Sequence, residues 1–246
     1  MARYKITLAY DGSNFAGSQK QANSRTVQGE LENALAQIGW TDRSVLMAGR
    51  TDAGVHASGQ VATFDFNEWN RNSEKLLNAI NARLPKDIAV KKLQKVANQF
   101  HPRFDATSRT YRYRLFHKSI REPLREKFEW HVWAKFDADA LKESASVFLG
   151  KHDFSAFGSK TSSDGTTIRT ISMCQWKKKP NGEYQFEVSA DAFLYRMVRR
   201  MVHVQISVAQ GKCSVKDVEH ALSKKQVKLP SGLAPAHGLT LIKIDY

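Results

Sequence analysis

Residues 48–57 read Ala-Gly-Arg-Thr-Asp-Ala-Gly-Val-His-Ala and hold the chain's best candidate for covalent chemistry. A carboxylate, Asp52, lies beside Arg50 in a segment where Gly49 and Gly54 give the backbone freedom to turn tightly and project side chains towards a ligand. A carboxylate so placed can act as a nucleophile or a base. Spacing alone also fits an Asx-type turn, in which Asp52 merely bonds neighbouring amides, and on its own favours that reading. Other reactive groups are sparse. Cys174 and Cys213 stand far apart without a CxxC pattern, which argues against a disulfide framework and for a reducing, cytoplasmic setting. His56, His101 and His152 lack metal-ligand spacing with any Cys or His and read as structural. Asp11, Asp52 and Asp65 could serve a metal-dependent nuclease, but they do not cluster as metal carboxylates usually do.

The elements that must position Asp52 follow from hydrophobic periodicity. Tyr4, Ile6, Leu8 and Tyr10 alternate as in a strand, and Val27, Leu31, Leu35 and Ile38 line a helix face that Thr26 can cap. Strands are expected at Ser44–Ala48 and Gln60–Phe66, so the Asp52 segment connects two strands. A helix through Leu76, Leu77, Ile80 and Leu84 stops at Pro85. A strand at Ile88–Leu93 completes a β-α-β-β-α-β order, a ferredoxin-like unit.

The second half repeats this order with additions. Arg109, Tyr111, Tyr113 and Leu115 alternate; Leu141, Ala145 and Phe148 mark a helix after Asp137. Strands at Ile171–Lys177 and Tyr184–Ala190 precede a long helix through Leu194, Met197, Val198, Met201 and Val208. A short helix capped by Ser214 and a last strand, Leu239–Tyr246, follow. The expectation is an α+β protein with two related halves, 1–104 and 105–246. They are joined without a Pro/Gly/Ser-rich linker and so should pack closely. The polar loop Gly158–Thr167 reads as mobile.

The chain has 246 residues with 41% hydrophobic content, enough to bury a sizeable core. Its opening has no apolar run of secretory-signal length, and no stretch approaches the roughly 20 apolar residues of a membrane helix. Lys and Arg number 38 against 24 Asp and Glu, a net charge of +14, which points to a polyanionic partner such as nucleic acid. Between Arg83 and Lys127 there are 13 Lys or Arg and four acids. Phe100, Phe104, Tyr111, Tyr113 and Phe116 interleave there. Such a band suits phosphates and unpaired bases, and equally a basic strand face over core aromatics.

The Gly49–Ala57 segment resembles the signature of the tRNA pseudouridine synthase I family, and further blocks match in order. Tyr10-Asp-Gly-Ser-Asn-Phe-Ala-Gly17 and Thr26-Val-Gln-Gly-Glu-Leu-Glu32 resemble its N-terminal blocks. Leu84-Pro-Lys-Asp-Ile-Ala-Val90, Phe100-His-Pro-Arg-Phe-Asp-Ala106 and Arg109-Thr-Tyr-Arg-Tyr113 resemble its middle. His152-Asp-Phe-Ser-Ala-Phe157, Phe193-Leu-Tyr-Arg-Met-Val-Arg199 and Ala234-Pro-Ala-His-Gly-Leu239 resemble its C-terminal half.

The resemblance implies a pseudouridine synthase fold, two ferredoxin-like halves around a central cleft, usually as a homodimer that cradles tRNA. It implies isomerisation of uridines 38, 39 and 40 in the anticodon stem-loop, without cofactor or metal. Asp52 becomes the catalytic aspartate, Arg199 the active-site arginine paired with it, and Tyr111 the ring that contacts the target base. Arg50 is then placed to hold displaced backbone or phosphate. Ser18 stands where the family commonly has Trp; Arg196, Arg200 and His203 replace its usual His, Asn and Gly. These departures bear on loop packing and RNA contacts. The competing readings are a non-catalytic tRNA-binding chaperone and a pseudouridine synthase acting at another RNA site. An intact set of Asp52, Tyr111 and Arg199 speaks against the chaperone.

Overall fold

The computed structural model describes residues 1–42, 44–66, 69, 72–161, 165–224 and 226–246. The chain folds as an α+β protein in two compact units, Met1–Thr107 with Thr240–Tyr246, and Ser108–Leu239.

In the first unit the alternating run of Tyr4, Ile6, Leu8 and Tyr10 forms β1 (Ala2–Tyr10), with those four side chains buried. Helix α1 (Val27–Ala36) starts where Thr26 accepts a hydrogen bond from the Gly29 amide, and it buries Leu31 and Leu35. Strand β2 (Leu46–Met47) is shorter than the expected Ser44–Ala48, and β3 (His56–Phe66) is longer, beginning four residues after Asp52. Helix α2 (Ser73–Asn81), capped by Asn72, ends before the Leu84–Pro85 stop, and β4 (Ile88–Val96) follows. β1 pairs antiparallel with both β3 and β4, and β2 pairs antiparallel with β3. The order β4-β1-β3-β2 is that of a ferredoxin-like unit.

In the second unit β5 (Ser108–Phe116) leads to a four-residue helix, α3 (Pro123–Glu126), and a two-residue strand, β6 (Trp130–His131), that runs parallel to β5. Helix α4 (Ala138–Ser146) begins after Asp137, as expected, and the Asp137 side chain caps it. Strands β7 (Gly150–Asp153), β8 (Ile168–Lys178) and β9 (Glu183–Ala190) form the sheet order β5-β9-β8-β7, antiparallel throughout. Helix α5 (Met197–Ala209) carries a buried face of Val198, Met201, Val202 and Val208 and packs on α4. Helix α6 (Val215–Leu222) opens with a capping box between Ser214 and Asp217.

The last strand, β10 (Leu239–Asp245), pairs parallel with β3 through Thr240 and Leu241 opposite His56 and Ala57. Its Asp245 carbonyl accepts from the Thr107 amide. Contacts therefore join Thr240–Tyr246 to the first unit, whereas the sequence reading had kept 105–246 together. Of the polar loop expected to be mobile, Ser162, Ser163 and Asp164 lie outside the described residues. No helix among the described residues is long and apolar enough to cross a membrane.

Candidate active site

The first unit holds Asp52 on a loop pinned at nearly every peptide. The Ala48 amide donates to Val61 O at 2.8 Å, and Gln60 Nε2 donates to Gly49 O at 2.9 Å. Ser18 and Thr51 exchange two bonds: Thr51 N donates to Ser18 Oγ at 2.8 Å and Ser18 N donates to Thr51 O at 3.1 Å. The Tyr10 and Thr51 hydroxyls are 2.8 Å apart, and burial pushes the Tyr10 phenol up to about 12. Past Asp52 the chain turns back, with Val55 N donating to Asp52 O at 3.1 Å.

A close approach between loops completes this cradle. Gly12 lies so near residue 55 that a Cβ there would stand 2.1 Å from the Val55 carbonyl oxygen, which only glycine permits. Its amide donates to Nδ1 of the buried His56 at 3.0 Å. His56 thus ties the Gly12 turn to the start of β3, a structural role. His101 and His152 likewise bond within their own loops: His101 Nδ1 accepts from the Arg103 and Phe104 amides, and His152 Nε2 lies 2.7 Å from Leu149 O.

The loop holds Asp52 half-buried while Arg50 is exposed, its guanidinium in no hydrogen bond or ion pair among the described residues. Asp11 caps a turn through the Ser13 amide, and Asp65 is ion-paired to Arg3 at 2.7 Å. Asp65 lies nine residues along β3 from His56, on the order of 30 Å at strand rise. A shared metal site for Asp11, Asp52 and Asp65 is thereby excluded by distance.

The second unit places Tyr111 and Arg199. Tyr111, on β5 opposite Val188, is half-buried, and its ring meets Phe193 edge-on at 5.2 Å. Two residues on, Tyr113 is fully buried and donates its hydroxyl to Pro235 O at 2.9 Å; burial raises this phenol well above the usual range. Phe116 is also fully buried. The expected band of base-stacking rings is therefore corrected at Tyr113 and Phe116, which belong to the core. The basic band is uneven too. Arg112, Lys118, Arg121 and Arg125 pair with Glu187, Glu122, Glu126 and Glu129. Lys91, Lys92 and Lys95 are exposed on the edge strand β4, where lysines also discourage edge-to-edge pairing.

Arg199 sits in the first turn of α5, half-buried, with Nε donating to Ala234 O at 2.8 Å. The arginines around it divide by role. Arg196 takes the left-handed conformation (φ 62°) that starts the helix three residues later than Leu194, and its guanidinium lies over the Tyr195 ring. Arg200 is half-buried and donates to the carbonyls of Pro230 and Gly232. His203 lies against Gly232, where a Cβ would come within 2.8 Å of the imidazole. Two of the departures, Arg200 and His203, thus anchor the 230–234 segment that in turn orients Arg199. Sequence reasoning missed Ser18, Tyr10, Gln60 and Ala234 as supports, because bonds between loops distant in sequence leave no periodic signal.

Comparison with known proteins gives the family. The profile described as tRNA pseudouridine synthase matches residues 6–105 and 145–246. The chain is 40% identical to tRNA pseudouridine synthase A of Limosilactobacillus fermentum over 250 residues, covering 100% of this chain and 96% of that one. It is 38% identical to the same-named protein of Limosilactobacillus reuteri over 250 residues, covering 100% and 97%. With that of Acetivibrio thermocellus it shares 37% over 246 residues, covering both chains fully. A family match over most of the chain, and relatives this similar along its whole length, make the chain a member of the tRNA pseudouridine synthase family.

Proposed function

We propose that this protein isomerises uridine to pseudouridine in the anticodon stem-loop of tRNA, at positions 38, 39 and 40, with Asp52 as its catalytic carboxylate. The supporting observation is the half-buried Asp52 on a loop fixed from both sides, in a chain that belongs throughout to the tRNA pseudouridine synthase family.

The reaction breaks the N1–C1′ bond, turns the uracil and rejoins it to ribose through C5; the proton on C5 is lost and N1 gains one. No electrons are exchanged and no energy source is consumed, so a carboxylate acting as nucleophile or base suffices once the base is extruded and shielded from water. In this reading Tyr111 presents its ring to the flipped base. Arg199 serves as the active-site arginine, and the exposed Arg50 holds displaced backbone or phosphate. The protein acts as a cytoplasmic homodimer.

Asp52→Asn tests this. It preserves side-chain size but replaces the carboxylate with an amide that is neither nucleophilic nor basic. Turnover on tRNA should fall by several orders of magnitude while tRNA affinity is nearly kept. The product is detected by carbodiimide labelling, since pseudouridine has the mass of uridine. A folded variant with near wild-type turnover would overturn the assignment. A wild-type protein that binds tRNA but labels no site would favour a chaperone.

A further inference from the structure

Asp52 can start a reaction only if its carboxylate is aimed, and its aim depends on the two peptide planes that flank it. Each peptide unit is rigid, so fixing the planes on either side of a residue fixes its φ and ψ and the direction of its Cα–Cβ bond. On the far side the plane is set by Val55 N donating to Asp52 O at 3.1 Å. On the near side the carbonyl of the Thr51–Asp52 peptide accepts from Ser18 N at 3.1 Å. The peptide before it is held as well, with Thr51 N donating to Ser18 Oγ at 2.8 Å. Ser18 therefore grips Thr51 at both its backbone groups, while Tyr10 OH, 2.8 Å from Thr51 Oγ1, holds the side chain.

Ser18 is itself rigidly placed. It is 0% exposed, and its carbonyl accepts from the Gln28 amide at 2.9 Å in the first turn of α1. Its neighbour Gly17 adopts φ +108° and lies so close to the loop that a Cβ would stand 2.9 Å from Thr51 O. A continuous line of bonds thus runs from the start of α1 through Ser18 and Thr51 to Asp52.

We propose that Ser18 is a positioning residue for catalysis: its amide holds the Thr51–Asp52 peptide, its hydroxyl holds the Arg50–Thr51 peptide before it, and the two together fix the direction in which Asp52 presents its carboxylate. This rests on the reading of Asp52 as the catalytic group. Ser18 touches neither substrate nor reacting atoms, so its effect belongs in kcat rather than in tRNA binding. A displacement of the order of an ångström at a reacting group costs about a hundredfold in rate.

The test compares Ser18→Ala, Ser18→Cys and Asp52→Asn with wild type, each at a temperature well below its own melting transition. Single-turnover rate at saturating tRNA, tRNA affinity and folded fraction are measured. Ser18→Ala is expected to lower the single-turnover rate by about tenfold to a hundredfold with affinity within about twofold of wild type. Ser18→Cys keeps an acceptor that is weaker and somewhat larger than the hydroxyl, and its rate should fall between those of wild type and Ser18→Ala. It also serves if Ser18→Ala fails to fold. A purely structural Ser18 would lower the melting temperature and leave the rate of the folded protein unchanged; that result overturns the proposal. Near wild-type turnover of Asp52→Asn would instead overturn the underlying reading. An inactive Asp52→Asn beside fully active Ser18 variants overturns the positioning role alone.

Discussion

Arg199 and Ala234 hold each other from both ends: Arg199 Nε donates to Ala234 O at 2.8 Å, and Ala234 N donates to Arg199 O at 3.1 Å. The Nε end of the guanidinium is thereby held by a backbone carbonyl. Lysine at this position keeps the charge but has no Nε donor and no planar fork. Arg199→Lys should therefore lose at least about tenfold in turnover, and Arg199→Ala more, since truncation also leaves a buried carbonyl without its donor. Measured rates for Arg199→Lys equal to wild type would show that charge alone matters there.

Gly12→Ala probes the close approach behind the loop. Its Cβ would stand 2.1 Å from Val55 O, a backbone atom that cannot rotate aside. The expected cost is about 1–3 kcal/mol in urea unfolding, with turnover reduced further because the Gly12 turn and the Asp52 loop must separate. An alanine variant of wild-type stability and rate would remove this contact from the account.

Local signals made the framework legible, and tertiary ones hid the rest. Thr26 and Ser214 were readable as helix caps because each bonds an amide within three residues of itself. β1 was readable because one of its faces is core. By contrast α3 is four residues long without a side-chain cap, and β6 has two residues, too short for any period. Strand β2 has only Leu46–Met47, opposite Thr63 and Ala62 of β3, with one further bond from the Ala48 amide to Val61 O. Asp52 was found through its matched motif. Ser18, 33 positions from its partner Thr51, carried only the mark of a departure, and the bond gives it meaning.

Salt should separate paired from unpaired cations. Each phosphate neutralised releases counterions, so log affinity for tRNA falls linearly with log salt. Lys92 and Lys95 are exposed on β4 and in no ion pair among the described residues, whereas Arg121 is bonded to Glu126. Lys92→Gln with Lys95→Gln should flatten the slope by about 1.5, and Arg121→Gln should leave it within error. The reverse order would move the phosphate track to the α3 region.

The isomerisation needs neither redox chemistry nor a Lewis acid, because bond breaking and bond making occur on one nucleoside. Turnover is therefore expected to survive exhaustive chelation followed by dialysis. A loss that one defined metal restores would require a different chemistry.

Acid should unfold the protein in two steps, which can be assigned to named groups. His203 and His237 are both held below their usual 6.5, chiefly by burial; Arg200 adds to the effect at His203. A folded pKa below the unfolded one means that the unfolded chain binds the proton more readily. Stability from these groups is complete above 6.5 and drains away as pH falls below it. The carboxylates act lower. Asp65 is depressed mainly by its hydrogen bond from Arg3. Glu32 is depressed although burial opposes it, because Lys20, Gln28 and the Val45 amide bond its carboxylate; at Asp153, bonds from Lys224 and Ser155 likewise outweigh burial. Their stabilisation is complete above the ordinary values of 3.8 for Asp and 4.5 for Glu, and is lost as pH falls through the lowered folded values. Urea midpoints measured from pH 8 downwards should thus be level to about 6.5, decline gently, and then drop steeply below about 4.5. His203→Gln should reduce the first decline and Asp65→Asn the second, each leaving the other in place. A midpoint that rose between pH 7 and 5 would reverse the sign and show that a histidine gains an acidic partner in the folded protein.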